Sequence, residues 1–230
     1  MYASILNAGT NAINILFDNF AATDTRKTVR LRNLNLNGLG TGLIGINITG
    51  VTNTANSAVF VEDCLIDGMF AGAMRGISDT RTAGELSIVN TTVRNIGGSA
   101  ILIAPVDGVR RIEATLDHVR VQNADLGLAA RRPARVFVNR AMLSGNTTAG
   151  IEVDAGVELT VDHSTISNNG AAVRAASGAV IRLSNNNIAF NRTGIAGVTT
   201  SFGNNRISGN TTAGTVPTPV GAISNEFGQQ

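Results

Sequence analysis

Residues 29–33 read Val-Arg-Leu-Arg-Asn, and an apolar residue at Leu36 and a glycine at Gly38 follow them. The same order of alternating residues, a turn-forming residue and an apolar marker returns along the chain; the markers are Leu36, Ile66, Val93, Val121, Leu143, Ile166, Ile188 and Ile207. The steps between successive markers are 30, 27, 28, 22, 23, 22 and 19 residues. Repeats of this length made of short alternating strands are typical of a solenoid, in which each unit buries its apolar face against its neighbours.

The composition favours a thin core and frequent turns. Hydrophobic residues make up 43% of the chain, but aromatic residues make up only 4% and tryptophan is absent, so the core is expected to consist of Val, Ile, Leu and Ala. Glycine occurs 26 times and asparagine is also abundant, and both tolerate left-handed backbone. The net charge of +2 is too small to indicate a nucleic-acid partner. No apolar run approaches the roughly 20 residues of a membrane span.

Two sets of polar residues recur at fixed places in the repeat. The first marks a bend and consists of Asn33, Asp63, Asn90, His118, Arg140, His163, Asn185 and Asn204; the second consists of Asn146, Asn169, Asn191 and Asn210. Stacked parallel strands lie about 4.8 Å apart, so equivalent side chains form vertical columns. Asparagines in such a column can form amide ladders and adopt left-handed turns. We interpret these asparagines as structural.

The repeat predicts one elongated domain over residues 1–216, with about eight or nine coils, and a C-terminal tail or cap over 217–230. Because residues 5–15 already follow the repeat, we expect that the chain begins inside a coil and is N-terminally truncated. The longer coils are expected to carry their additional residues in turns at 52–57, 75–84 and 105–111, where insertions often form a binding wall. Cys64 has no partner for an internal disulfide and is interpreted as a buried filler.

The period of about 22 residues, the asparagine-rich bend and the three short strands of each repeat resemble the right-handed parallel β-helix of the pectate-lyase-like superfamily. The resemblance extends from about Ile5 to Thr215 and implies an all-β solenoid, a secreted or cell-surface location and affinity for polysaccharides. The chain lacks the Asn-Thr-Asp, Asp-Asp and Gly-His-Gly strings of the hydrolases in that superfamily. It also lacks the dense aspartate cluster of the calcium-dependent lyases, so neither calcium nor another cofactor is indicated.

Both histidines of the chain follow an aspartate, in Asp117-His118 and Asp162-His163, at the same repeat position two coils apart. Arg140 occupies that position in the coil between them. Two rungs correspond to roughly 9–10 Å, close to the carboxyl separation of an inverting glycosidase. These residues are our candidate catalytic set, with no metal ligands among them. The alternative is a solvated strand face on which histidine replaces asparagine at a bend.

Arginines cluster between residues 110 and 140. The candidate substrate-binding set consists of Arg110, Arg111, Arg131, Arg132 and Arg135. Because the two arginine pairs fall at turns of neighbouring coils, they are expected to form one basic rim beside the Asp-His row, suited to uronate or phosphate groups. The alternative is an ordinary face of ion pairs.

Three functions remain open from the sequence. The preferred hypothesis is a secreted or surface β-helix that binds polysaccharide, in particular acidic glycans. The second is a carbohydrate-active enzyme, either a polysaccharide lyase or a glycoside hydrolase, that uses the Asp/His/Arg face. The third is a non-catalytic scaffold or adhesin segment that forms end-to-end or side-by-side homo-oligomers.

Overall fold

The computed structural model describes residues 3–19, 23–52, 54–70 and 74–220, and these residues form 25 strands, numbered in chain order. The first nine are β1 (Ala3–Leu6), β2 (Ile13–Leu16), β3 (Thr28–Arg32), β4 (Leu34–Asn37), β5 (Ile44–Thr49), β6 (Ala58–Glu62), β7 (Leu65–Met69), β8 (Arg75–Asp79) and β9 (Gly84–Val89). The next eight are β10 (Thr92–Ile103), β11 (Ile112–Asp117), β12 (Arg120–Ala130), β13 (Ala134–Asn139), β14 (Met142–Ser144), β15 (Ala149–Val153), β16 (Glu158–Asp162) and β17 (Thr165–Ser167). The last eight are β18 (Ala171–Ala175), β19 (Val180–Ser184), β20 (Asn187–Ala189), β21 (Thr193–Ala196), β22 (Thr200–Gly203), β23 (Arg206–Ser208), β24 (Thr212–Gly214) and β25 (Thr218–Pro219).

The strands form three parallel rows around a common interior. The first row contains β1, β4, β7, β10, β12, β14, β17, β20 and β23, and the second contains β2, β5, β8, β10, β12, β15, β18, β21 and β24. The long strands β10 and β12 belong to both rows, which therefore make one 16-stranded sheet. The third row is a separate nine-stranded sheet of β3, β6, β9, β11, β13, β16, β19, β22 and β25. The expected parallel β-helix of eight or nine coils is confirmed.

The apolar markers of the repeat stand in one interior file. Leu36 pairs with Ile66, Ile66 with Val93, and the pairing continues rung by rung to Ile207. All of these side chains except Ile207 are buried. Aliphatic side chains of similar size stack well at the strand spacing, and this explains why a core with few aromatic residues suffices. Cys64 is buried in the same core, as expected.

All eight residues of the predicted bend column adopt left-handed backbone. Their φ angles lie between 46° and 55°, and the column includes His118 (52°), Arg140 (49°) and His163 (46°). The bend turns the chain from the third row into the first row of the next coil. Its conformation fixes where the side chains of the candidate site emerge.

The second asparagine column forms a buried amide ladder, as predicted. The Nδ2 group of Asn146 donates to Oδ1 of Asn169 (2.8 Å), Asn169 donates to Asn191 (2.9 Å) and Asn191 donates to Asn210 (2.9 Å). Each Oδ1 also accepts a backbone N–H of the preceding coil, for example that of Asn146 at 3.0 Å. The ladder therefore satisfies turn amides that water does not reach.

A further ladder directly after the bend was not predicted. Oδ1 of Asn186 accepts the backbone N–H of Ser164 (3.0 Å), and Nδ2 of Asn186 donates to Asn205 (3.0 Å). One coil before Asn186 this column contains Ser164, and one coil earlier it contains Ala141. Oγ of Ser164 accepts the backbone N–H of Ala141 (3.1 Å). Because this column mixes Asn, Ser and apolar residues, its shared role is hidden in the sequence.

The expected turn over 75–84 is only partly a turn, because Arg75–Asp79 is strand β8 of the second row. The residues that follow it carry a buried ion pair instead of a surface wall. Arg81 and Asp79 are both 0% exposed, with Nη2 of Arg81 2.6 Å from Oδ2 of Asp79. Arg81 also donates to Ser57 Oγ (2.7 Å), and its guanidinium lies 4.9 Å from the ring centre of Phe17. This cluster ties the first three coils together.

The predicted tail begins inside the fold. Strand β25 pairs with β22 and so continues the third row, while residues 221–230 lie outside the described part of the chain. The first two residues of the chain also lie outside it.

Replacing Asn169 by alanine is expected to destabilise the fold by about 1–3 kcal/mol, because buried amide partners above and below lose their hydrogen bonds. The measurement is urea unfolding followed by circular dichroism. Asn187→Ala is the matched control, since Asn187 is exposed on the outer face of β20, and it should change the free energy of unfolding by less than about 0.5 kcal/mol. Equal effects of the two substitutions would contradict the ladder's role.

Replacing Arg81 by methionine is expected to destabilise the fold by about 3–5 kcal/mol, because it leaves the Asp79 carboxylate buried without its counter-charge. The double variant with Asp79→Asn should recover part of this loss, since the unpaired charge is then removed. Thermal melting of both variants provides the measurement, and a double variant no more stable than the single one would contradict this account.

Candidate functional site

The two candidate aspartates stand in one outward column of the third row. Asp117 pairs in register with Asn139 of the next strand, and Asn139 pairs with Asp162. The predicted separation of two rungs is therefore present, which corresponds to about 9–10 Å between the backbones. The three side chains are partly buried at the end of their strands, next to the bend.

Asp117 is held by several donors. Nε and Nη2 of Arg140 donate to Oδ1 of Asp117 at 3.1 and 3.0 Å, and Nη2 also donates to Oδ2 at 3.0 Å. The amide of Asn139 donates to Oδ1 (2.9 Å), and Nδ1 of His118 lies 3.1 Å from Oδ2. Arg140 thus links its own coil to the preceding coil through hydrogen bonds to the Asp117 carboxylate.

Asp162 repeats part of this arrangement without an arginine. Nδ1 of His163 lies 2.9 Å from Oδ2 of Asp162, and Nδ2 of Asn185 donates to Oδ1 at 3.0 Å. The position of Arg140 is thus taken one coil further on by a histidine, and two coils further on by an asparagine. The column therefore has one guanidinium between two Asp-His pairs.

Both carboxyls are ionised at neutral pH. Burial is the largest single influence on Asp117 and opposes ionisation, but hydrogen bonds from His118 and Arg140 and the charge of Arg140 outweigh it, so the pKa of Asp117 is lowered. Burial likewise opposes ionisation of Asp162, and hydrogen bonds from Asn185 and His163 outweigh it and lower its pKa. An inverting glycosidase needs one carboxyl with a raised pKa as its general acid. Neither aspartate has that property.

The second ring nitrogen of each histidine has no hydrogen-bond partner among the described residues. An ionised carboxylate accepts hydrogen bonds, so Nδ1 of His118 and of His163 carries the shared proton and Nε2 is the remaining ring nitrogen. Both rings are about half exposed. A neutral imidazole oriented in this way can accept a hydrogen bond or a proton at Nε2.

These side chains line a shallow groove of about 280 Å³, which we call the bend groove. It lies between the bend column and the outward residues of the first row; its lining residues are Asn90, His118, Arg120, Arg140, Ala141, Met142, His163 and Thr165. The fold thus brings together three of the five residues of the candidate catalytic set at the surface, with the two aspartates directly behind them. Arg120 and Thr165 belong to neither candidate set from the sequence. Both occupy the same outward repeat position as Met142, and this shared position is the sequence signal that could have identified them.

The arginines do not form the single basic rim expected from the sequence. Arg111 and Arg135 both approach Glu113 and Glu158 on the third row, at 3.2–3.6 Å. Arg131 instead binds Glu152 and Asp154, both at 2.8 Å, and Glu152 belongs to the second row. The cause is the corner between the second and third rows, where the chain passes from β12 to β13. Arg131 and Arg135 lie on either side of this corner and therefore extend from different faces.

The other two arginines of the set lie at the same corner. Arg110 pairs with Asp107 within its own turn (3.0 Å), and the Arg132 side chain passes over Gly156 of the next coil. The set also does not adjoin the Asp-His row. Arg135 and Asn139 stand near opposite ends of β13, four residues or about 13 Å apart.

Among the residues of the described ranges, no group of three or more His, Cys, Asp or Glu side chains is arranged to hold a metal ion. Within those same ranges, no helix has the length and apolar character needed to cross a membrane.

A family model for the right-handed β-helix region matches residues 44–212. The chain belongs to the right-handed β-helix family. The match spans the rungs that carry the bend groove, both asparagine ladders and all ten candidate site residues. No curated protein matches the chain, and no solved structure matches it.

Replacing Asp117 by asparagine is expected to lower the free energy of unfolding by about 1–2 kcal/mol at pH 7, because charged hydrogen bonds from Arg140 and His118 are weakened. The lowered pKa of Asp117 determines how the stabilisation by its carboxylate depends on pH. The ionised carboxylate stabilises the fold above the ordinary aspartate pKa of about 3.9, and this stabilisation is lost as the pH falls through the lower folded-state value.

The measurement is urea unfolding of the wild type and of Asp117→Asn between pH 7 and pH 2. The difference between them should shrink below about pH 3.9. Glu85→Gln, on the exposed face of β9, is the control and should show no such trend. A difference that stays constant over the whole range would contradict the assigned ion pair.

Proposed function

We propose that this β-helix binds acidic polysaccharide chains along the bend groove. The observation that carries the proposal is that His118, Arg120, Arg140 and His163 line one open groove. These side chains supply hydrogen-bond donors and cationic groups at the spacing of the rungs. The acidic groups of the groove lie behind them and are already engaged by Arg140, the histidines and asparagines.

Arg120 is the residue best placed to meet a ligand. It is exposed at the start of β12, and within the described chain it forms no ion pair. A guanidinium offers a planar fork of donors that matches a carboxylate or sulfate group. Arg140, by contrast, uses Nε and Nη2 on Asp117 and has Nη1 left for a ligand.

A linear polymer suits this surface better than a compact ligand. The groove is shallow, and its donors repeat along the helix axis instead of surrounding a closed cavity. A net charge of only +2 gives little general attraction for nucleic acid, so recognition of anionic groups would have to be local. Secretion or surface display, which the resemblance to polysaccharide-active β-helices implied, forms part of the same proposal.

A lyase is the second candidate, and one observation favours it. In each Asp-His pair the carboxylate holds Nδ1, and Nε2 has no partner among the described residues, which is the arrangement of an oriented general base. Elimination from a uronate needs a base for the proton next to the carboxylate and a cation to neutralise that carboxylate. His118 or His163 would be the base, and Arg140 or Arg120 the neutralising group.

Isothermal titration with polygalacturonate, alginate and chondroitin sulfate at low salt tests the binding proposal. We expect measurable binding to at least one polymer that weakens with added salt. Arg120→Gln should weaken it about tenfold, since it removes a charge-assisted hydrogen bond. Arg26→Gln, which replaces an exposed arginine in the turn before β3 and far from the groove, is the matched control and should bind as the wild type does.

The same incubations, assayed for unsaturated uronides and reducing ends, separate binding from catalysis. Product that accumulates in the wild type and vanishes in His118→Asn and His163→Asn would favour the lyase. Absence of both binding and product with all three polymers would overturn the proposal and favour a scaffold role.

A further inference from the structure

A second left-handed column runs along the corner between the first and second rows. Its members follow one another in register and all have φ between 54° and 79°; they are Gly68, Asn95, Asn123, Gly145, Asn168, Phe190 and Gly209. Glycine and asparagine accept this backbone readily, whereas bulky side chains strain it. Six of the seven members obey that preference, and Phe190 does not.

Phe190 combines two unfavourable features. Its φ of 60° places a bulky side chain in left-handed backbone, and the residue is 70% exposed to solvent. Gly209 on the next rung leaves space for the ring, since a side chain at that position would place its Cβ atom only 3.0 Å from Cε1 of Phe190. Strain of this kind at an exposed residue is a feature of functional sites.

The same corner exposes two more large apolar side chains. Phe70, which follows β7, is 60% exposed, and Leu39 in the preceding coil is 58% exposed and also left-handed, with φ of 52°. The rungs of Phe70 and Phe190 are five steps apart, or about 24 Å. We call the surface from Leu39 to Phe190 the aromatic edge.

A groove of about 500 Å³ begins at Phe70 and crosses the middle of the aromatic edge; its lining residues are Phe70, Ile96, Gly97, Asn123, Ala124, Asp125, Gly145 and Thr147. None of the described residues in this lining has a cationic side chain. Its one carboxylate, Asp125, accepts hydrogen bonds from the hydroxyls of Thr147 (2.9 Å) and Thr148. The amide of Asn123 remains exposed and makes one long contact of 3.4 Å with Asn95.

We infer that the aromatic edge is a second glycan-binding site, selective for uncharged polysaccharide chains. The apolar faces of sugar rings pack on exposed aromatic rings, while amides and hydroxyls between the two phenylalanines hydrogen-bond to the sugar hydroxyls. The absence of a cation from the groove lining distinguishes this chemistry from that of the bend groove. Asn95, Asn123 and Asn168 place amides on three of the four rungs between Phe70 and Phe190, and this spacing along the axis fits an extended glycan chain better than a protein partner.

The decisive variant is Phe190→Asn, because strain and binding respond to it in opposite ways. Asparagine adopts left-handed backbone more readily than phenylalanine, so the thermal midpoint should stay the same or rise. Affinity for a neutral glycan should fall about tenfold, in line with the contribution of one aromatic contact. Val198→Asn, which replaces another exposed apolar residue outside the groove lining, is the matched control.

Affinity gel electrophoresis with soluble xyloglucan, mixed-linkage β-glucan, galactomannan or dextran in the gel provides the measurement. We expect retardation by at least one of these polymers, reduced in Phe190→Asn and Phe70→Ala and retained in Val198→Asn. No retardation by any of them, or retardation unchanged in both phenylalanine variants, would overturn the inference. A polygalacturonate gel and Arg120→Gln test the bend groove separately, so failure of one site is distinguishable from failure of the other.

Discussion

Within each of the three rows, every strand between the two end strands hydrogen-bonds to the equivalent strands one coil before and one coil after it, and this pairing fixes where each side chain lies. The register places Leu36, Ile66 and Val93 in one file, and by the same pairing it places Asp117, Asn139 and Asp162 in another. Buried ladders of asparagine hold the turns at the same spacing. Loss of register at one rung would therefore displace the core and both outer surfaces together.

Stacking also determines the electrostatics of the surface. Charged side chains one rung apart are close enough to pair, as Arg140 does with Asp117 and Arg131 with Glu152. Arg131, Arg135 and Arg140, which looked available for a ligand in the sequence, are therefore each occupied by a carboxylate from a neighbouring coil. Arg120 differs because it stands beside Thr92 and Met142, which carry no charge. Its position within the bend groove makes it informative about function.

The two left-handed columns give the molecule two kinds of corner. At the bend, polar and charged residues such as His118 and Arg140 occupy the left-handed positions and project into a groove with cationic groups. At the aromatic edge, glycine and asparagine predominate and the exceptions are large apolar residues. The same backbone requirement therefore supports two surfaces of different chemistry, and the side chains at a few rungs decide the charge and polarity of each surface.

The sequence by itself determined the fold, the interior file, the bend column and the amide ladder from Asn146 to Asn210, because each depends on a residue type that recurs at a fixed repeat position. It also placed Asp117 and Asp162 two rungs apart. The partners of the charged groups could not be predicted, since the corner between rows sends Arg111 and Arg131 to different faces. The buried pair of Arg81 and Asp79 was equally hidden, because it depends on contacts with Ser57 and Phe17 from two other coils. Periodicity is a local property of the chain, whereas charge pairing and groove shape depend on distances between coils that only the tertiary structure sets.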